Sequence, residues 1–373
     1  MARRKRVLLI HFNRKPPVTG GEYVYCKIGE ALSSEYDVDE ISIGTLILRY
    51  LKKRGLARAV ARYILEPTSI LYPLMVRRKY DLIFTSWSEH VPFFGDVVYA
   101  QPPPGTFSMN KPSFCINDHG NLLANTAEYL GIGITWPWRI LFGKFSLKYH
   151  YFISNSKYTR DYSFRIYGKK SRVIYPPTEL GSFVYDQSKK ERLVLSIGNV
   201  IPQKRYDLIG RIGIMMPDVN FILIGKAEGV GETIVASIQK AFANHGLANN
   251  FTFLGHVSER DKVELLKRAS VVFHPAINES FGIALVEGMA SGAVPVAHNS
   301  GGPSEFIDSK WLFSKDDEIV EKIRNALNAD PSTRLTMREK GLTFNEQRFK
   351  HNLLLICSEI IEHKKGGYRY PVS

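Results

Sequence analysis

Residues Asn278 to Glu305 read NESFGIALVEGMASGAVPVAHNSGGPSE. The stretch Ser270–His274, read as a strand, comes just before them, and the loop PAINES leads from it into Phe281-Gly282. The spacing predicts strand, glycine turn and helix, with the helix over Ile283–Ser291. Gly282 lets a ligand approach the backbone. The unpaired N–H groups near Gly282, Ile283 and Ala284 suit an anion such as a diphosphate. Glu279 precedes this helix and Glu287 lies in its second turn, so both carboxylates can face one cleft. Paired sugar hydroxyls suit carboxylates, which accept two hydrogen bonds. A second unit of the same kind follows: a strand at Ala293–Ala297, then Ser300-Gly301-Gly302-Pro303-Ser304-Glu305, where Pro near the first position predicts another helix.

Outward from this segment, both halves alternate short strands and helices. In the second half, strands are expected at RLVLSIG, NFILIG, Asn250–Leu254 and Trp311–Phe313. Helices are expected over Asp207–Met215, Gly231–His245 and Glu259–Arg268. In the first half, strands are expected near Val7–Phe12, Val38–Ile43, Asp81–Ser86 and Asp96–Ala100, with Tyr151–Asn155 as the last. Such alternation predicts α/β domains with doubly wound parallel sheets, which bind ligands beyond the carboxyl ends of their strands. VIYPPTELGSF reads as a linker, because its prolines interrupt helix and sheet. Domains of residues 1–176 and 184–343 follow, with a helical tail from about 344 to 373 that can pack back on the first. The stretch from Gln101 to Ile134, rich in Pro, Asn and Gly, is a long insertion of a kind that is usually functional or disordered.

The chain has 373 residues and a formal net charge of +14. Through Tyr175 there are 26 Lys/Arg against 13 Asp/Glu, and beyond it 24 against 23, so the excess belongs to the first half. It is densest from Leu46 to Tyr80, with nine basic residues and one acid, Glu66. LILRYLKKRGLARAVARYIL sets basic residues beside apolar ones at helical spacing and predicts a helix lying on an anionic membrane surface. No apolar run reaches the ~20 residues of a membrane span. MARRKRVLLIHF is expected to be a first strand rather than a signal peptide, its apolar core being too short. Three scattered cysteines, Cys26, Cys115 and Cys357, predict neither zinc nor disulfides and fit a reducing cytoplasm. Asp37-Val38-Asp39 is read as a solvated turn rather than a metal motif. Asn278-Glu279-Ser280 spells a glycosylation sequon, without meaning in a cytoplasmic site.

The pattern Glu279-Ser280-Phe281-Gly282 through Glu287, followed by Ser-Gly-Gly-x-x-Glu, resembles the signature of the retaining GT-B glycosyltransferases, the large family containing sucrose synthase and the lipid-linked mannosyltransferases. The resemblance implies two facing Rossmann-like domains with a C-terminal helix crossing back to the first. Glu279 would contact the donor sugar. Phe281, Gly282 and Ile283 would offer backbone contacts to sugar and phosphates, with Ala284 beside them, and Glu287 would hold the ribose. His256 and Val257 would lie beside the base. Gly198 to Arg205 is similar to the family's G-R-L-x-x-x-K-G loop. Lys204 takes the Lys position, Asn199 stands where Arg is usual, and Arg205 replaces a Gly and can restore the charge. A leaving nucleoside diphosphate needs such fixed cations when no metal is present. The glycine loop at Gly20-Gly21 is similar to the family's donor- and acceptor-facing loop. Gln101 stands where a sugar-facing His is usual, and His119 is a candidate substitute.

The resemblance thus implies a metal-independent transferase with no cofactor. It would move a hexose (mannose, glucose or GlcNAc) from a GDP- or UDP-sugar to a lipid-linked or membrane-presented glycan at the cytoplasmic membrane face. A sugar-nucleotide epimerase or phosphorylase shares the architecture, and a basic nucleic-acid-binding or scaffold protein is the non-enzyme alternative. The paired glutamates argue against the last.

Overall fold

The computed structural model describes residues 3–11, 20–42, 72–86, 95–101, 151–178, 180–181 and 185–365. The chain divides into two compact units, residues 1–177 with 347–373, and residues 178–346.

The first unit has a six-stranded sheet among its described residues: β1 (Arg6–His11), β2 (Asp37–Ser42), β3 (Leu82–Ser86), β4 (Val97–Ala100), β5 (Tyr151–Ser154) and β6 (Ser171–Val173). The order is β2-β1-β3-β4-β5-β6, with every pair parallel. Among its described residues it also carries helices α1 (Gly20–Ser33), α2 (Tyr72–Val76) and α3 (Lys157–Tyr167). Val7, Leu8, Leu9, Ile83, Phe84 and Tyr99 are fully buried, as strands covered on both faces require.

The second unit carries β7 (Glu191–Ile197), α4 (Leu208–Gly213), β8 (Asn220–Ile224), α5 (Val230–Asn244), β9 (Phe251–Gly255), α6 (Glu259–Arg268), β10 (Ala269–His274), α7 (Ile283–Ala290), β11 (Val294–His298), β12 (Leu312–Phe313), α8 (Ile319–Leu327) and α9 (Pro331–Leu342). Its sheet order is β12-β11-β10-β7-β8-β9, again all parallel. The order reverses between β7 and β10. Crossovers leave opposite faces there, and the loops beyond the two strand ends open a crevice.

The last helix, α10 (Glu346–Lys365), belongs to the first unit from Gln347 onward. Lys364 Nζ donates to the Asp81 carbonyl and to Asp96, each at 2.7 Å, and Phe349 meets the Tyr99 ring edge-on at 6.0 Å.

Three expectations need correction. Tyr151–Ser154 is not the last strand of its half, because three residues just before the prolines, Ser171–Val173, pair with it. The turn at Gly302–Glu305 is a single 3-10 turn rather than an α-helix; it stops at Phe306, whose N–H bonds back to the Pro303 carbonyl at 3.2 Å. Asp37 and Asp39 lie within β2 rather than in a turn, and Asp39 accepts from Arg6 (2.8 Å) and Tyr80 (2.7 Å). The basic segment from Leu46 to Leu65, most of the Gln101–Ile134 insertion, Cys115 and His119 lie outside the described residues. Cys357 is a buried free thiol. Among the described residues, no helix is long and apolar enough to cross a membrane, and no three His, Cys, Asp or Glu side chains group as a metal site.

Candidate functional site

The switch point between β7 and β10 brings together residues 75 apart in sequence. Beyond β7, a 3-10 turn at Pro202–Lys204 ends on Arg205 in the left-handed conformation, φ 55°. Tyr206 anchors this loop: it is fully buried and its hydroxyl donates to the Ile197 carbonyl at 2.8 Å. Lys204 then reaches the loop beyond β10 and its ammonium bonds the Glu279 carboxylate.

Glu279 has a second partner, His274, the last residue of β10. Its Nε2 lies 2.7 Å from the same carboxylate oxygen. The other oxygen accepts from the Ser280 N–H at 3.2 Å. Burial alone would push the Glu279 carboxyl up. The Lys204 charge and then the His274 contact outweigh burial and hold it far below the usual carboxylate range. Burial and Lys204 together lower the His274 pKa, so the imidazole is neutral near pH 7.

The second glycine turn holds this loop from behind. Gly302 N–H donates to the Glu279 carbonyl at 2.8 Å, and Asn278 N–H donates to Ser300 Oγ at 2.7 Å. A side chain at Gly301 would place its Cβ 2.2 Å from the Glu279 carbonyl oxygen, and one at Gly302 would lie 2.3 Å from that of Ser280. The Ser-Gly-Gly sequence is therefore a contact requirement of the glutamate loop, reinforced by φ 71° at Gly301.

Gly282 caps α7 at φ 94°, and the half-buried residues Ile283 and Ala284 open that helix with their N–H groups. Such first-turn donors have no intrahelical acceptor and form an anion-binding end. The Phe281 side chain is core, packed on Phe306 (5.2 Å) and Phe344 (5.5 Å), which leaves its backbone as the part that can meet a ligand.

Glu287 lies one turn into α7 and is buried. Its carboxylate is 2.8 Å from Lys262 Nζ on α6, which also pairs with Glu259. Burial raises the Glu287 carboxyl, and Lys262 offsets part of that rise. Burial works against the Lys262 charge, but Glu287 and Glu259 prevail and raise its pKa.

The other residues singled out in the sequence fall as follows. Arg205 is bonded to both oxygens of Asp316 through one terminal nitrogen, at 2.7 and 2.8 Å. Asn199 is half-buried beyond β7, His256 is exposed beyond β9 and Val257 is half-buried. Gly20 and Gly21 begin α1 in the first unit. Gln101 follows β4, and its side-chain nitrogen is buried without a hydrogen-bond partner. Sequence reasoning missed two residues of the site: His274, read only as a strand end, and Lys262, read only as helix surface. The position of His274 at the carboxyl end of a buried strand was the available signal for it.

Residues 179–343 match the family model described as "Glycosyl transferases group 1". A GDP-Man:Man(3)GlcNAc(2)-PP-Dol alpha-1,2-mannosyltransferase from Xenopus laevis is 26% identical over 211 residues, which is 50% of this chain and 43% of that protein. A D-inositol 3-phosphate glycosyltransferase from Mycolicibacterium gilvum is 32% identical over 176 residues, 43% of this chain and 40% of that protein. The chain thus spans less than half the length of these curated relatives. Among solved structures, Anabaena HepE in complex with UDP and glucose matches 95% of this chain and 100% of its own, with TM-score 0.67 and 17% identity. Sucrose-phosphate synthase from Thermosynechococcus elongatus matches 96% and 100%, with TM-score 0.68 and 17% identity. The fold is the α/β fold of these GT-B glycosyltransferases, two units each built on a six-stranded parallel sheet.

Proposed function

We propose that this protein is a retaining, metal-independent glycosyltransferase that moves a hexose from a nucleotide-diphosphate sugar to an acceptor hydroxyl. The observation that carries the reading is the Lys204–Glu279–His274 cluster at the switch point, beside the open end of α7. Lys204, Arg205 and the amides at Gly282, Ile283 and Ala284 take the diphosphate. Glu279 fixes the sugar hydroxyls, Glu287 the ribose, and His256 and Val257 flank the base.

This reading gives Glu279 and Glu287 binding roles rather than a nucleophile's, so the acceptor oxygen attacks C1 from the face the diphosphate leaves. The C1–O bond to phosphate breaks, and the acceptor proton passes to a phosphate oxygen. Charge developing on that oxygen is what fixed cations and amides stabilise.

GDP-mannose is the favoured donor, supported by the GDP-Man-named relatives; a UDP-sugar is the other choice, supported by the fold of a protein solved with UDP and glucose. The favoured acceptor is a lipid-linked glycan at the cytoplasmic membrane face. The dolichol-linked substrate named for the mannosyltransferase relatives and the basic first half support it. A thermal-shift screen of GDP, UDP and ADP sugars tests the donor, and the anomeric proton of the product in NMR tests retention. Absence of any nucleotide-sugar shift, or an inverted product, defeats the reading. Flotation with anionic liposomes tests the membrane; no association removes that part.

A further inference from the structure

We infer that His274 is a positioning residue for Glu279, the partner that keeps this carboxylate charged and in place when Lys204 turns to the donor diphosphate. The inference rests on the function proposed above. Lys204 and His274 share one oxygen of Glu279. Lys204 cannot serve that carboxylate and a leaving diphosphate equally, whereas His274 has no route to the diphosphate through its bonded nitrogen. A nearly buried carboxylate stripped of its one cation would be strongly disfavoured. A hydrogen bond to the charged oxygen offsets that cost and fixes its direction.

The geometry assigns the proton on the ring. Nδ1 is buried without a partner, so a proton there would be an unpaired buried donor. The proton therefore sits on Nε2 and is donated to Glu279. The ring itself is fixed in this orientation. His274 is 4% exposed, and its plane stands edge-on to Tyr206 at 6.2 Å. Tyr206 comes from the same loop as Lys204, so the element that delivers the cation also fixes the imidazole.

The test compares His274→Gln, whose amide nitrogen can replace Nε2, with His274→Met, which fills similar space without a donor. For the full chain, kcat, the donor KM, GDP and UDP affinity by calorimetry, and the melting temperature are measured. We expect His274→Met to lose about a hundredfold in kcat, the size of one lost electrostatic contact at a reacting centre. Nucleoside diphosphate affinity should stay within a few fold, and His274→Gln should recover most of the loss. Wild-type kcat in His274→Met overturns the inference, as does equal impairment of both folded variants, which would mean that ring packing alone matters. If His274→Met fails to fold, His274→Asn replaces it. Its shorter amide falls short of Glu279, so activity equal to that of His274→Gln overturns the inference. A wild-type chain that binds neither GDP nor UDP overturns the function proposed above and this inference with it. Nucleotide binding with an indifferent His274 overturns this inference alone.

Discussion

Lys262 Nζ lies 2.8 Å from the carboxylate of Glu287, the group proposed to hold the donor ribose. Glu287 is buried, which raises its pKa, and Lys262 is what keeps the carboxylate available as an acceptor. Lys262→Met removes that offset and moves the Glu287 pKa further up. Protonation replaces an acceptor with a donor, so nucleotide affinity in the variant should fall on acidification at a higher pH than in wild type. Calorimetry with GDP from about pH 8 to about pH 5.5 reads this directly. We expect near-parity at the upper end and a deficit of about tenfold at the lower, the effect of roughly one charged hydrogen bond. Superimposable pH profiles would remove Lys262 from the site.

The Glu279 carboxyl is held below its ordinary range by Lys204 and His274, against the effect of burial. Glu279→Gln and Lys204→Ala should each lower turnover by about 10²–10³-fold. Transfer rates unchanged in both would defeat the assignment. The depressed pKa also has a stability consequence. The unfolded glutamate titrates near ~4.3, so the native state gains stability from this group above that pH and loses it as pH falls toward the folded value. The stability difference between wild type and Glu279→Gln should therefore shrink between about pH 5 and about pH 3. Urea denaturation at the two pH values measures it, and a gap that widens on acidification contradicts the ion pairing.

Much of this second unit was legible because its signals are local. Every residue of Ala269–His274 is buried, and its apolar centre Val271-Val272-Phe273 marks the strand. The expected bounds of α6, Glu259–Arg268, match the structure. Ser258 accepts from Asp261 N–H at 3.2 Å there, acids occupy the first turn and Lys267-Arg268 the last. Lys204 with Glu279 and Lys262 with Glu287 were not legible as pairs, since their sequence separations, 75 and 25, close only once the strand order is known. The 3-10 turn at Gly302–Glu305 escaped because Pro near the start marks a helical onset without its length. Ser171–Val173 escaped because three residues carry no periodicity.

Arg205 donates to both oxygens of Asp316. In the proposed function the remaining N–H groups of Arg205 serve the diphosphate, and Asp316 holds the guanidinium in place. Arg205→Ala should then weaken GDP by about tenfold or more while changing GMP little, as expected for a charged contact to the second phosphate. Asp316→Asn should weaken GDP by less. Equal losses for GDP and GMP in Arg205→Ala would make Arg205–Asp316 a structural pair and leave Lys204 as the cation of this loop.

Asp96 has no solvent exposure and, among the described residues, accepts from Arg77 at 2.7 Å, Ile83 N–H at 2.8 Å and Lys364 of α10 at 2.7 Å. The first two come from the body of the first unit and the third from the end of the chain, so one carboxylate ties the C-terminal helix to the sheet. Removing the hub takes the acceptor from a buried amide and from two partly exposed cations, a loss of about 3 kcal/mol. Removing Lys364 alone leaves Asp96 neutralised by Arg77 and costs about 1 kcal/mol. Asp96→Ala should therefore lower the unfolding midpoint far more than Lys364→Met. The two should nevertheless share one local effect: faster amide exchange over the last turns of α10, where the Lys364–Asp96 contact is lost. Hydrogen exchange followed by mass spectrometry resolves that segment. Unchanged protection there in Lys364→Met would mean that Phe349 and the apolar face of α10, with Leu353, Ile356 and Ile360 buried, secure the helix without the tether.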